Sequence, residues 1–215
     1  MRLFRFLHWP FGYLLVLLSF SEDSWGQDRN LVWNTAYSME GNHEIAQNSL
    51  LTTLPKMTRG WKVTFEVNPT SHNSRSYVSL LHLTIGGKGT GSGAKIGDRN
   101  PSIWFHKTKG VLISSALNGK VSYSKFHKNL PPIGEWTKIE VSQSLASSKY
   151  IYSINIGSDQ VLSIQNTKPV ELSNVKVFAG SPWYSPQRGS IRNLKIELQT
   201  PIDCLEAGDK HSTEC

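Results

Sequence analysis

The sequence predicts an all-β protein of antiparallel strands, and three observations carry the prediction. Between Trp136 and Leu198 four short segments alternate apolar and polar residues, with turn residues between them. They are Trp136-Thr-Lys-Ile-Glu-Val-Ser-Gln143, Tyr150-Ile-Tyr-Ser-Ile-Asn-Ile156, the run opening Val175-Lys-Val-Phe-Ala179, and Gly189-Ser-Ile-Arg-Asn-Leu-Lys-Ile-Glu-Leu198. No stretch shows a helical period. Asn118-Gly119 then supplies a strong two-residue hairpin signal, because both positions favour positive φ.

Residues 1–26 read as a secretory signal. Arg2 and Arg5 make a positive start, and Phe11 to Phe20 form an apolar run too short for the roughly 20 residues that span a bilayer. Ser24 and Gly26 are small residues placed for cleavage before Gln27. A buried N-terminal helix is the alternative. No later apolar run is long enough to insert in a membrane.

From Gln27 to Met57 the chain reads as irregular and polar, with Ile45 and Leu50 to Leu54 as its apolar anchors. Trp61, Val63, Phe65 and Val67 alternate with Lys62, Thr64 and Glu66, a strand with one wet face. Asn68 to Ser76 is a loop by composition, and Tyr77 to Ile85 a more apolar strand. Gly86-Gly-Lys-Gly-Thr-Gly-Ser-Gly93 lacks the Ser or Thr after Gly-Lys that a P-loop needs, so it reads as a flexible connection. Ile103 to His106, Val111 to Leu117 and Val121 to His127 form a meander, and Leu130-Pro-Pro-Ile-Gly134 crosses to the closing segments. No repeat and no linker divides the chain. The expected organisation is a signal over 1–26, one domain over 27–200 and a tail over 201–215.

The net charge is +7, which favours acidic extracellular partners, although solubility alone would account for it. Cys204 and Cys215 both lie in the tail, so the fold does not depend on a disulfide. They can bridge each other or pair with another chain. Asn68-Pro-Thr and Asn100-Pro-Ser carry the proline that excludes N-glycosylation.

Ser102-Ile-Trp-Phe105, Gly110-Val-Leu-Ile113, the Asn118-Gly119 hairpin and Gly134-Glu-Trp-Thr-Lys-Ile-Glu-Val141 resemble consecutive strands of laminin G-like and concanavalin A-like domains. Gly189 to Ile196 is similar to the closing strand of that family. The resemblance covers roughly Leu50 to Leu198 and implies a two-sheet jelly-roll sandwich. Such sandwiches usually bind and seldom catalyse. Val175 to Leu198 also resembles a segment of secreted proteins from corals and other cnidarians, some found in skeletal organic matrix. That likeness implies location and a matrix role. Many laminin G-like domains bind calcium through an aspartate near the turn occupied here by Asn118-Gly119. Ala116 stands at the nearest matching position, so no calcium site is expected, and Asp98 alone is a weak substitute.

Catalytic signals are thin. Glu66, Glu135, Glu140, Glu171 and Glu197 are scattered, without the paired spacing that two glycosidase carboxyls on one strand would need. Across strands, pairing stays open. His43-Glu-Ile-Ala-Gln47 misses the second histidine of a zinc protease motif.

Strand direction offers a binding patch. In an up-down-up meander, His106, Lys107 and Lys109 fall at the same end of the sheet as Lys125, His127 and Lys128. Cations within a Debye length would attract an acidic glycan; ordinary solvated turn lysines are the alternative. Trp183 and Tyr184, in a loop pinned by Pro182 and Pro186, could stack on a sugar ring or close the end of the sandwich.

The expectation is a secreted, extracellular, non-enzymatic module that recognises glycans or matrix proteins. It needs no cofactor or metal, does not bind nucleic acid and does not insert in a membrane. A structural matrix component is the second reading, and a glycosidase the third.

Overall fold

Alternation fixes the two sheets. The computed structural model describes residues 31–72 and 75–201, and every regular element within them is a β-strand. In order these are β1 (Leu31–Glu44), β2 (Leu50–Met57), β3 (Gly60–Pro69), β4 (Tyr77–Thr84), β5 (Ser102–His106) and β6 (Gly110–Leu117). They continue with β7 (Lys120–His127), β8 (Thr137–Ala146), β9 (Lys149–Ile156), β10 (Asp159–Asn166), β11 (Leu172–Ala179) and β12 (Gly189–Pro201). One antiparallel sheet has the order β1-β12-β3-β8-β9-β10, and the other β2-β11-β4-β5-β6-β7. This is an all-β, antiparallel two-sheet jelly-roll sandwich; the alternating segments predict the antiparallel strands, and the resemblance to concanavalin A-like domains implies the sandwich.

The core lies between the sheets. Trp61, Val63, Phe65 and Val67 of β3 face inward with Ile139, Val141, Tyr152 and Ile154, all essentially inaccessible to water. They meet Leu81, Leu83, Ile103, Phe105, Val111, Ile113 and Val177 from the second sheet. Burying each such side chain contributes about 1.5–3 kcal/mol. The hairpin at Asn118-Gly119 has the expected geometry, with φ of 53° and 76° and Leu117 paired to Lys120. Asn118 also bridges the sheets. Its Oδ1 accepts the Thr167 N–H at 2.7 Å, and its own N–H donates to Asn166 Oδ1 at 2.9 Å.

Two expectations fail. The stretch from Gln27 to Met57, read as irregular, contains β1 and β2. Two register shifts against β12 break the alternation of β1, and Pro55 interrupts β2, which lies at a sheet edge where proline is tolerated. The closing segments number five, because the polar edge strand β10 lies between β9 and β11. The segment read as a signal and the tail with Cys204 and Cys215 lie outside the described residues.

Candidate functional site

Side chains of β4 to β7 alternate between the core and the outer face of their sheet. Inward-facing Phe105 and Val111 are followed by outward-facing Trp104 and Leu112, which pair with each other, and Leu112 pairs in turn with Phe126. Tyr77 lies beside this row, opposite His106. The segment from residue 85 to 101 ends beside β6, where the Ala116 N–H donates to the Arg99 carbonyl at 3.1 Å, and brings Thr90 and Arg99 to the same face. The loop after β11 closes the other side.

Between them lies a groove of about 490 Å³. Trp104, Leu112 and Phe126 form its floor, Tyr77 and Tyr184 its aromatic walls, and Thr90, Ser124 and Arg99 its polar lining. The indole of Trp104 meets the Tyr184 ring edge-on at 6.1 Å.

Arg99 joins the parts. Its guanidinium carbon sits 4.8 Å from the centre of the Trp104 ring, a cation–π arrangement. Nε donates to the Lys88 carbonyl at 3.0 Å, one terminal nitrogen to Ser122 Oγ at 3.3 Å, and the other to the Tyr184 hydroxyl at 3.0 Å. One side chain therefore ties the glycine-rich connection, β7 and the Trp183-Tyr184 loop together.

Beneath the groove, His82 is fully buried on β4. Its Nε2–H donates to the Asp98 carbonyl at 2.9 Å. Its Nδ1 then accepts from the Ser181 hydroxyl at 3.3 Å, while Ser181 Oγ accepts the Trp183 N–H at 3.2 Å. This chain of bonds pins both loops to the sheet. Burial, opposed by the Asp98 carbonyl and helped by the Arg99 charge, pushes the imidazole down from 6.5 to about 4. His82 is neutral at pH 7.

The topology brings the six residues of the expected basic patch to one end of this sheet, and the pleat then divides them. Lys125 and His127 pair with core residues Ile113 and Val111, so they leave β7 on its inward side. There His127 Nε2 lies 3.7 Å from Asp159 Oδ2 of the opposite sheet. Lys109 turns the other way, its ammonium 5.4 Å from the centre of the Phe126 ring at the groove's edge. Lys107 and Lys128 are exposed.

His106 is buried, and its Nδ1 accepts the N–H groups of Thr108 and Lys109, both at 3.2 Å, so it shapes the turn. The aromatic pair also separates. Tyr184 walls the groove, whereas Trp183 packs edge-on against His82 at 5.5 Å.

The glutamates occupy other surfaces. Glu66 faces Arg192 at 2.6 Å, Glu140 faces Lys138 at 3.6 Å, and Glu171 faces Lys56 at 3.4 Å. Glu197 lies between Lys62 at 3.1 Å and Lys195 at 2.7 Å. Burial raises the Glu197 pKa, but the two ammonium groups outweigh it and hold the carboxyl below its ordinary range. The Asp98 carboxylate accepts the Lys95 N–H at 2.7 Å and so caps its own loop.

A larger hollow of about 680 Å³ lies beside the Trp183 loop, lined by Gln47, His72, Arg75 and Arg188 among others. Its lining is mainly long polar side chains. The groove is the stronger candidate because its floor is a packed aromatic surface on three paired strands. Sequence reasoning missed Arg99, Tyr77 and Phe126, and Arg99 lies in a connection without a motif.

No protein-family model and no curated protein sequence matches the chain. Solved structures do. The CBM40 module of a Ruminococcus gnavus IT-sialidase, bound to alpha2,3-sialyllactose, is similar over 76% of this chain and 91% of its own, at 15% identity and a TM-score of 0.52. The receptor-binding domain of botulinum neurotoxin type G matches over 78% of this chain and 40% of its own, at 12% identity and a TM-score of 0.47. A heptameric SAP-like pentraxin from Limulus polyphemus matches over 78% and 76%, at 12% identity and a TM-score of 0.47. The first of these likenesses supports the jelly-roll fold at this low identity.

Proposed function

We propose that this chain is a secreted glycan-binding module that seats a sugar in the groove over Trp104 and Phe126 and does not catalyse. The carrying observation is the groove itself: the partly exposed rings of Phe126, Tyr77 and Tyr184 around a buried Trp104, hydroxyls at Thr90 and Ser124, and one guanidinium. A pyranose ring presents C–H groups on its faces and hydroxyls at its rim, so it fits an apolar floor with polar edges. The lining groups hold and orient. They include no acid–base pair flanking a bond. The sialyllactose-bound module of similar fold supports the same reading, and residues 1–26 support secretion.

The test is a glycan array followed by calorimetry on residues 27–215, with Phe126→Ala as the variant. Phe126 lies on the edge strand β7 and is partly exposed, so its truncation leaves the core intact. Binding by the parent chain and at least a roughly tenfold loss in Phe126→Ala are expected. Equal binding by the two would remove the groove from the reading.

A further inference from the structure

Resting on that reading, we propose that the sugar recognised in the groove carries a carboxylate, and that Arg99 receives it. Arg99 is the one charged side chain of the groove's lining. None of the ion pairs among the described residues includes it. Its guanidinium sits 4.8 Å from the centre of the Trp104 ring rather than in a direct ion pair.

Donor arithmetic gives the geometry. A guanidinium has five N–H bonds. Lys88, Ser122 and Tyr184 take three of them, one from each nitrogen. That leaves one N–H on each terminal nitrogen, two charged donors available to the oxygens of a carboxylate. The Tyr184 and Lys88 bonds hold the fork still while it waits.

The remaining lining argues the same way. Neutral sugars are commonly gripped by carboxylate or amide oxygens that accept pairs of ring hydroxyls. Here the other polar groups of the lining are the hydroxyls of Tyr77, Thr90, Ser124 and Tyr184, of which that of Tyr184 is engaged with Arg99 and that of Ser124 lies 2.6 Å from the Ser114 hydroxyl. The groove's strongest fixed feature is therefore a donor fork, and it selects an acceptor anion.

The experiment compares ligands on the unaltered protein, so folding of a variant does not confound it. Calorimetry is run with 3′-sialyllactose, with a galacturonate trimer, with the methyl ester of each, with lactose, and with a 6-sulfated lactose. At least one free acid should bind about tenfold or more tighter than its own ester. Arg99→Lys, which keeps the charge and removes the fork, should abolish that difference while thermal melting still shows a cooperative fold. Ester and acid binding equally would overturn the carboxylate assignment and leave the glycan-binding reading standing. Sulfated lactose matching the best acid would overturn it too, since a tetrahedral anion would then suffice. No binding by any saccharide here or on the array would end the glycan reading itself.

Discussion

The hydroxyls of Tyr152 and Ser115 lie 2.7 Å apart in the middle of the sandwich, joining β9 of one sheet to β6 of the other. Both residues are inaccessible to water. Burial pushes the Tyr152 phenol up, and the Ser115 bond opposes that shift in part. Removing either partner strands the other in an apolar core. Tyr152→Phe should therefore lower stability by about 1–3 kcal/mol in urea unfolding. Tyr152→Phe with Ser115→Ala should cost less than the sum of the single changes, because no stranded hydroxyl remains. Strict additivity would show that the bond couples nothing.

His82 predicts a pH dependence. Its folded pKa of about 4 lies below its ordinary 6.5, so between those values the unfolded chain binds the extra proton. Stability is present above about pH 6.5 and falls as pH drops toward 4. The loss across that window is on the order of 3 kcal/mol. Thermal melts from pH 7.5 to 4.5 should show it, and His82→Gln should flatten the profile. A parent profile as flat as that of the variant would mean that the imidazole is not held neutral.

Gly110 and Gly134 have similar backbones, with φ of 84° and 80°, and different surroundings. A Cβ at Gly110 would lie 2.0 Å from the His127 carbonyl oxygen, on backbone that cannot step aside, whereas at Gly134 nothing lies within 4 Å. Gly134→Ala should cost about 1–2 kcal/mol from φ alone. Gly110→Ala should cost clearly more, because β6 and β7 must separate there. Equal melting temperatures for the two variants would contradict the close approach of these strands.

The divided cations make a prediction about charge. Lys109 reaches the groove's edge at Phe126, while Lys125 leaves β7 on the other side. Lys109→Ala should weaken binding of an acidic glycan roughly threefold at low salt, with the effect fading as salt rises. Lys125→Ala should change it little. Retention on a heparin column across a salt gradient checks both, and identical shifts would show that the patch acts as one field.

The legible parts of the fold are those where pattern and pairing agree. β3, β8 and β9 alternate cleanly because one face of each is wet, and Asn118-Gly119 announces its turn through backbone chemistry alone. β1 escaped because its bulges reset the period, and its partner β12 lies more than a hundred residues away. Trp104 was hard to place because every residue of β5 is buried, so no polar alternation marks either face. Alternation cannot say which apolar residue faces which. Arg99 carried no local signal at all. Its role comes from Lys88, Ser122 and Tyr184 converging on it, and that convergence exists only after folding.

The bonds that fix Arg99 also set when its freedom is lost. A free arginine side chain carries about 2 kcal/mol of rotamer entropy. Here much of that is surrendered when the chain folds, through Trp104 and the three acceptors, before any ligand arrives. The groove is pre-organised, so a ligand would meet a side chain with little disorder left to lose. The corollary is evolutionary. Because the same guanidinium braces three segments, a lineage changing what this groove holds cannot simply exchange Arg99; it must rebuild the loops that rest on it.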